Sequence, residues 1–520
     1  MGRATRVNEV ISQTIQKWPD NLAVVERDAR WTYARLGYES RLLQERLQNA
    51  GLKKGDRVVL WLQNSALYIA AYVALFEVHG VVVPVHSDAM VSDVLKTITH
   101  VGAVGIITTS AHWTKSRNIL EQSGLRFALL PEETVAVSDG TQTEGAPDGL
   151  AQILYTSGTT GKPKGVMLSH ENLIANTESI LTQLCLTPSD AIVAVLPFVF
   201  AYGNSVLLTH VFAGAKIVVE ENLLYARCVV ESMKKEAATG FSGVASNYAF
   251  LLRESSFHAS NLSSLRYFTS AGGPMPQGLL RKVQEAFPKK QFHVMYGQTE
   301  ATARITMLSP EDLERKAGSA GCPVPGVSLK IMSETGEPVP PGKPGEIVVA
   351  GSNIMGGYWL DSATTEKTLR EGWLHTGDFG YLDEEGYLFI TGRSSEMIKS
   401  GGIRINPEEI EEVLLAHEDI SEAGVTGVVD ELLGESILAG VVLRTGRRLA
   451  EKQLLTYCRK HLAPYKRPQA IYFLEIVRRS ANGKILRAEL RQQLTSLHQQ
   501  SQKLMTDRVD TNEKLKKICE

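Results

Sequence analysis

Across 520 residues there are only five cysteines, no apolar run long enough to cross a bilayer and no excess of either charge, and each shortage excludes something. Cys185, Cys228, Cys322, Cys458 and Cys519 are scattered, with no CxxC pair and no histidine at metal-ligand spacing. An odd, dispersed set in a long chain argues against a disulfide framework and for reduced thiols in a cytoplasmic protein. The longest apolar stretches, residues 66–76 and 192–202, fall well short of the ~20 residues that span a membrane, so both are expected in a buried core. The first thirteen residues lack the apolar segment of a secretory signal. Gly2 would suit myristoylation, but Arg6 stands where that motif has Ser or Thr. Lys plus Arg total 55 against 57 Asp plus Glu, a formal net charge of −2. That balance gives no global attraction to nucleic acid or to anionic membranes, so neither nucleic-acid binding nor stable membrane insertion is expected.

What is present is an alternation of short apolar runs and helical spacing. Residues 57–62, 105–109, 216–220 and 266–270 read as strands, and 40–50 and 277–287 as helices between them. This pattern predicts an α/β architecture, with stacked, mostly parallel sheets covered by helices in a large N-terminal domain, residues 1–393. From about Val324 to Gly351 the Gly/Pro-punctuated runs VSLKIM and GEIVVAG predict a small antiparallel β unit. The Gly/Ser-rich run 391–402 predicts a domain boundary, with a compact α/β domain of about 100 residues following. Its first helix is signalled by Asn406 as N-cap, Pro407 at N1, Glu408 and Glu409, and a stripe of Ile410, Val413 and Leu414. The Gln/Lys-rich stretch 492–520 reads as a polar, weakly helical, frayed tail.

The most informative segment is Thr156-Ser157-Gly158-Thr159-Thr160-Gly161-Lys162-Pro163-Lys164-Gly165, which follows a short apolar strand. Glycines let backbone N–H groups face an anion, hydroxyls add donors and two lysines add positive charge, a combination suited to a polyphosphate. It is not a Walker A loop, because only two residues separate Gly158 from Gly161 and Pro163 follows the lysine. No GxGxxG fingerprint follows a strand. Further on, Tyr296-Gly297-Gln298-Thr299-Glu300 follows an apolar run. A carboxylate beside a triphosphate makes sense with a metal between them, since bare like charges repel. Asp378, in Trp373-Leu374-His375-Thr376-Gly377-Asp378, is an acceptor-only group suited to sugar hydroxyls. Near the C-terminus, Asn482-Gly483 signals a tight turn that would project Lys484.

These strings, with Gly392-Arg393 between the last two, resemble in order the motifs of the adenylate-forming superfamily: acyl-CoA synthetases, stand-alone adenylation proteins and luciferases. The resemblance spans about 150 to 490. It implies an AMP-forming ligase that uses ATP and Mg²⁺ to join a carboxylic acid to AMP, then passes the acyl group to the thiol of CoA or of a phosphopantetheinyl carrier protein. By the same resemblance Tyr296 stacks on adenine, Thr299 contacts the α-phosphate, Glu300 helps hold Mg²⁺, and Asp378 and Arg393 reach the ribose. Thr156, Ser157, Gly158, Thr159, Thr160, Gly161, Lys162, Lys164, Gly272, Gly297 and Gln298 complete the ATP site. Lys484 is implied as the catalytic lysine, its ammonium reducing repulsion between carboxylate and α-phosphate, with Glu300 and Thr156 as the other catalytic residues. Gly345-Glu346-Ile347 and Gly356-Gly357-Tyr358-Trp359 match a structural part of the family and are given no chemistry.

For the second step the resemblance implies a pantetheine channel past Lys399 and Gly402, the glycine admitting close approach of the thiol arm. The resemblance also implies a hinge at 394–396 and a small mobile α+β C-terminal domain over 397–491; the family hinge residue is usually Asp or Lys, and Ser395 stands there in this chain. The acid pocket is expected from Phe198, Phe200, Ala201, Tyr202, Ala271, Met295, Thr302 and Ala303. Relatives that activate amino acids usually place an Asp where Ala201 stands, and an ammonium buried without a partner is costly. A fatty, aryl or related acyl acid is therefore expected. The alternative is a stand-alone protein that loads an amino acid onto a peptidyl carrier protein.

Overall fold

The protein is described by a computed structural model over residues 4–27, 29–138, 145–156, 164–220, 225–273, 275–333, 335–393, 398–405, 407–478, 485–487 and 489–502. These residues form two compact units, 4–393 and 398–502.

The first unit is built on two large sheets. In one, six strands run parallel in the order Gln291–Tyr296, Tyr267–Ser270, Gly240–Gly243, Ala191–Ala194, Lys216–Val219, Leu22–Glu26. Antiparallel strands close both ends: Ala29–Thr32 beyond Leu22–Glu26, and Thr306–Leu308 then Cys322–Pro323 beyond Gln291–Tyr296. The second sheet has a parallel centre of Leu150–Thr156, Val81–Pro84, Arg57–Trp61, Gly105–Thr108 and Phe127–Leu129. Lys164–Ser169 pairs antiparallel with Leu150–Thr156, and Gly357–Tyr358 with Lys164–Ser169. Every residue of Arg57–Trp61, Val81–Pro84 and Gly105–Thr108 is buried, as expected of parallel strands covered on both faces. The apolar run at 66–76 forms the helix Ala66–Glu77, buried around nearly its whole circumference and capped by Ser65, whose side chain accepts from the Tyr68 N–H. A helix apolar on all sides belongs in a core. Among the described residues no helix is long and apolar enough to cross a membrane.

A third, antiparallel sheet joins Val327–Met332, Gly345–Gly351, Trp373–Leu382, Leu369–Arg370 and Leu388–Arg393. It extends well past the β unit expected over 324–351, because the later strands complete its hydrogen bonding.

In the second unit Gly434–Leu443 pairs along one edge with Ile420–Asp430 in a long hairpin, and along its other edge with Ala470–Phe473, in parallel, and with Ser400 of the short hairpin Ile398–Ser400/Ile403–Ile405. Helices Pro407–Leu415 and Glu451–His461 bury Ile410, Leu414, Leu454 and Cys458 against it. The frayed tail expected over 492–520 is corrected as far as 502: the weak helical signal is a helix over 489–502, with Leu490 and Leu494 buried with Val428, Leu438 and Val477, and 503–520 lie outside the described residues. Leu490, Leu494 and Leu497 recur at helical spacing, a stripe hidden by the glutamines around it. Burying each leucine is worth about 1.5–3 kcal/mol, which holds the segment to the domain.

Candidate active site

Two sequence motifs 82 residues apart meet in the first unit. Tyr296 ends its strand, Asp378 lies within Trp373–Leu382, and the Tyr296 hydroxyl donates to Asp378 Oδ2 at 2.7 Å. Both residues are buried. Thr376 steadies the carboxylate's backbone: its Oγ1 accepts from the Asp378 N–H at 3.1 Å and donates to the Ile347 carbonyl. Arg393 stands directly across from Asp378 in the neighbouring strand; its side chain lies outside the described residues.

Between Tyr296 and Arg304 the chain folds tightly on itself. A Cβ at Gly297 would sit 1.7 Å from the Ala303 carbonyl oxygen, so no other residue fits that fold. Gln298 is buried with its Nε2 unbonded, a donor suited to a nucleotide acceptor. Thr299–Ala301 forms a single 3₁₀ turn, and Thr302 follows at φ 65°, ψ −53° with the Ala303 N–H donating to the Ala301 carbonyl at 2.7 Å. This is the positive-φ form of the γ-turn, rare and strained for a β-branched residue, at a cost of about 1–3 kcal/mol. Its neighbours hold it. Thr302 Oγ1 donates to the Asn353 carbonyl at 2.6 Å, and Asn353 Nδ2 donates back to the carbonyls of Ala301 and Arg304. Asn353 and the strain at Thr302 left no mark in the sequence, because both arise from backbone geometry.

Thr156 and Lys164 face each other in register at the open end of the Leu150–Thr156/Lys164–Ser169 pair. The predicted phosphate-binding residues Ser157, Gly158, Thr159, Thr160, Gly161 and Lys162 lie outside the described residues. Beside this strand pair, Tyr358 donates its hydroxyl to Glu300 Oε1 at 3.0 Å, and Lys164 Nζ lies 5.1 Å from the centre of the Tyr358 ring. The predicted metal carboxylate, one predicted phosphate-loop lysine and Tyr358, whose motif carried no chemistry in the sequence, are thus contiguous. Among the described residues no cluster of three metal-ligating side chains exists. A lone carboxylate fits Mg²⁺, which keeps waters and takes phosphate oxygens.

The acid-pocket candidates divide. Ala271 and Met295 share a small apolar cluster with Tyr202, Ile180 and Met307. Tyr202, near the start of helix Ala201–Ala213, donates to the Thr269 carbonyl at 2.9 Å and lies 2.8 Å from Thr269 Oγ1. Thr302 and Ala303 are buried nearby in sequence, and Gly272 takes φ 84°. Phe200 is half-buried with its ring 5.7 Å from that of His86. Phe198 is fully buried in the main core against Tyr68, so packing accounts for it. Two polar residues unread in the sequence adjoin this group. Arg304 lies over the Tyr202 ring at 5.0 Å, and burial pulls its pKa down to about 10, so it is still a cation at neutral pH. His293 is buried with both ring nitrogens unbonded, and burial pushes its pKa down to about 4.

In the second unit, Gly401 and Gly402 have φ of 58° and 81° and link Ser400 to its partner Ile403. Two positive-φ residues between paired strands suit the tight I′ kind of hairpin turn, which gives Gly402 a local reason to be glycine. Lys399 stands across from Arg404, and its N–H donates to Glu435 Oε2 at 2.7 Å. Lys484 and the hinge residue Ser395 lie outside the described residues.

The sequence matches the AMP-binding enzyme family over residues 11–359 and the C-terminal domain of AMP-binding enzymes over 409–484. A 2-succinylbenzoate–CoA ligase of Bacillus cereus is 34% identical over 475 residues, covering 91% of this chain and 96% of that enzyme. The fold is similar to that of o-succinylbenzoate CoA synthetase from Bacillus subtilis bound to a product analogue, at a TM-score of 0.82 and 31% identity over 93% of this chain and 98% of that one. The same enzyme with ATP and magnesium ion scores 0.68 at 32% identity, covering 94% and 99%. Amide bond synthetase McbA from Marinactinospora thermotolerans scores 0.85 at 26% identity, covering 94% and 99%.

Proposed function

The chain belongs to the AMP-binding enzyme family, and from that premise we propose how its residues divide the work of an AMP-forming acid–CoA ligase. It is an acid–thiol ligase that converts a small carboxylic acid to an acyl-adenylate with ATP and Mg²⁺ and transfers the acyl group to CoA. Tyr296 and Asp378 hold the nucleoside, the phenol presenting its ring to adenine and its hydroxyl fixing the carboxylate for the ribose. Lys164 and the 156–162 loop take the phosphates. Glu300, steadied by Tyr358, supplies the protein oxygen to Mg²⁺, whose chemistry is to shield phosphate charge as pyrophosphate leaves. Lys484 neutralises the meeting carboxylate and α-phosphate. Ser395 is the hinge, and Gly402 with Lys399 lines the thiol path.

The observation that carries this reading is the 2.7 Å contact between Tyr296 and Asp378, which unites two motifs in one buried place. The substrate is an acyl or aryl acid without an α-ammonium. No Asp stands at Ala201, and the Arg304 cation against Tyr202 would repel an ammonium. Since it consumes ATP and CoA and has four free cysteines among the described residues, its place is the cytoplasm. Carboxylate-dependent ATP–pyrophosphate exchange with a panel of fatty, aryl and amino acids tests the first step. A preference for an amino acid would overturn the pocket assignment. Product analysis with CoA, a phosphopantetheinyl carrier and a simple amine offered together tests the acceptor, with acyl-CoA as the expected product.

A further inference from the structure

A carboxylate and an ammonium close together in a partly buried site attract strongly, because little solvent is present to screen them. Glu300 and Lys164 are both half-buried and touch the same side chain. Among the described residues neither forms an ion pair, with the other or with a third group. Asp361, near enough to feel the Lys164 charge, is engaged at the start of helix Ser362–Thr368, where its Oδ1 accepts from the Thr364 N–H at 3.0 Å. The side chain the two charges share is Tyr358. Its hydroxyl donates to Glu300 Oε1 at 3.0 Å, and Lys164 Nζ lies over its ring, 5.1 Å from the centre. A ring face attracts a cation and a phenol O–H donates to an anion, so one residue satisfies both charges at separate atoms.

Tyr358 is buried and its backbone is held firmly. Gly357–Tyr358 pairs with the strand that Lys164 begins, the Tyr358 N–H donates to Thr365 Oγ1 at 2.9 Å, and the Trp359 N–H donates to the Gly165 carbonyl at 2.7 Å. Just upstream, the Met355 N–H donates to the Glu300 carbonyl at 2.9 Å. The segment Met355–Trp359 therefore fastens the backbone of Glu300 at one end and of the Lys164 strand at the other, with the Tyr358 ring set from its middle.

We propose that Tyr358 is a positioning residue for the metal–ATP complex. It keeps Lys164 and Glu300 from neutralising each other, so that the carboxylate stays ready for the cation and the ammonium for phosphate. This deepens the ligase reading above and rests on it for the roles of the two charges. Without the ring, the flexible lysine closes onto the carboxylate, and each ligand must break that pair before it binds. The hydroxyl adds direction, since a hydrogen bond from an outer partner fixes how a metal-binding carboxylate is turned.

The test is equilibrium binding to the full chain without acid or CoA, so that turnover does not enter. Calorimetric titration with ATP in EDTA reports the ammonium. Electron paramagnetic resonance of Mn²⁺ bound at saturating ATP reports the carboxylate. Tyr358→Phe keeps the ring and should leave ATP binding in EDTA unchanged while weakening Mn²⁺ by about tenfold or more, as when a metal ligand loses its outer partner. Tyr358→Leu should weaken both, ATP in EDTA by about tenfold, as for one lost hydrogen bond to a charged group. Adding Glu300→Gln to Tyr358→Leu releases the ammonium and should bring ATP binding in EDTA back to that of Glu300→Gln alone. A tyrosine that only fills space would give no such rescue. If Tyr358→Leu lacks a wild-type thermal transition, Tyr358→Phe decides alone. Wild-type Mn²⁺ affinity in Tyr358→Phe, or a folded Tyr358→Leu without rescue, would overturn the proposal and leave the ligase reading standing. No ATP binding by the wild type, with or without Mn²⁺, would sink both.

Discussion

Tyr296→Phe removes one oxygen from the site and leaves the ring in place. The apolar area that Tyr296 buries is unchanged, so the cost comes from the hydrogen bond to Asp378 Oδ2. A hydrogen bond to a charged group contributes about 1.5–3 kcal/mol, and Asp378 is only 4% exposed, so water replaces the phenol poorly. Urea unfolding of the first unit should shift to a lower midpoint by that energy at unchanged m. If the same bond aims the carboxylate at the ribose, the KM for ATP should rise by about tenfold or more, at ~1.4 kcal/mol per decade. The turnover rate should change little, since the lost contact is shared by ground and transition states. The assay is pyrophosphate exchange at saturating acid with ATP varied, with Asp378→Asn in parallel. If both variants keep the wild-type KM for ATP, the assignment of this pair to the nucleoside is wrong.

Gly297→Ala should lose roughly 3 kcal/mol or fail to fold by thermal denaturation, because its Cβ would overlap the Ala303 carbonyl. Acidification should weaken the first unit from pH 6.5 downward. Burial lowers His170, His210 and His293 to about 4, so the unfolded chain binds the extra protons and stability falls until pH 4, by roughly 3 kcal/mol for each histidine. Glu236, hydrogen-bonded by Arg30 and Lys216, is held at about 2 and adds a further loss between pH 4.5 and 2; a flat urea midpoint from pH 7 to 5 would contradict the histidine assignment. Lys484→Ala should cripple adenylation yet still turn pre-made acyl-AMP into thioester, and equal loss of both steps would refute its role. Gly402→Val should spare adenylation and block thioester formation, with Gly401→Val as control for strain in the shared turn; equal effects of the two on thioester formation would assign Gly402 to the turn alone.

The strings Tyr296 to Glu300 and Trp373 to Asp378 stood out in the sequence because each carries its groups within six residues, and the structure brings Tyr296 and Asp378 together. The parallel sheets were legible through fully apolar runs such as Arg57–Trp61. What stayed hidden depends on partners distant in sequence. Arg304 looks like any surface arginine until Asn176, Asn353 and Tyr202 close around it. Tyr358 gained meaning only when Gly357–Tyr358 paired with Lys164–Ser169 and brought its hydroxyl to Glu300. Phe198 shows the converse, an aromatic whose place in a suggestive string is explained by core packing against Tyr68.

The two asparagines that clasp residues 301–304 have an evolutionary consequence. Because Asn176 and Asn353 grip main-chain atoms alone, the loop's path is indifferent to which side chain stands at 304. A single codon change there can exchange the side chain that lies over the Tyr202 ring while the 301–304 turn keeps its shape. Variation at this position, in nature or by directed evolution, need not pass through a broken fold.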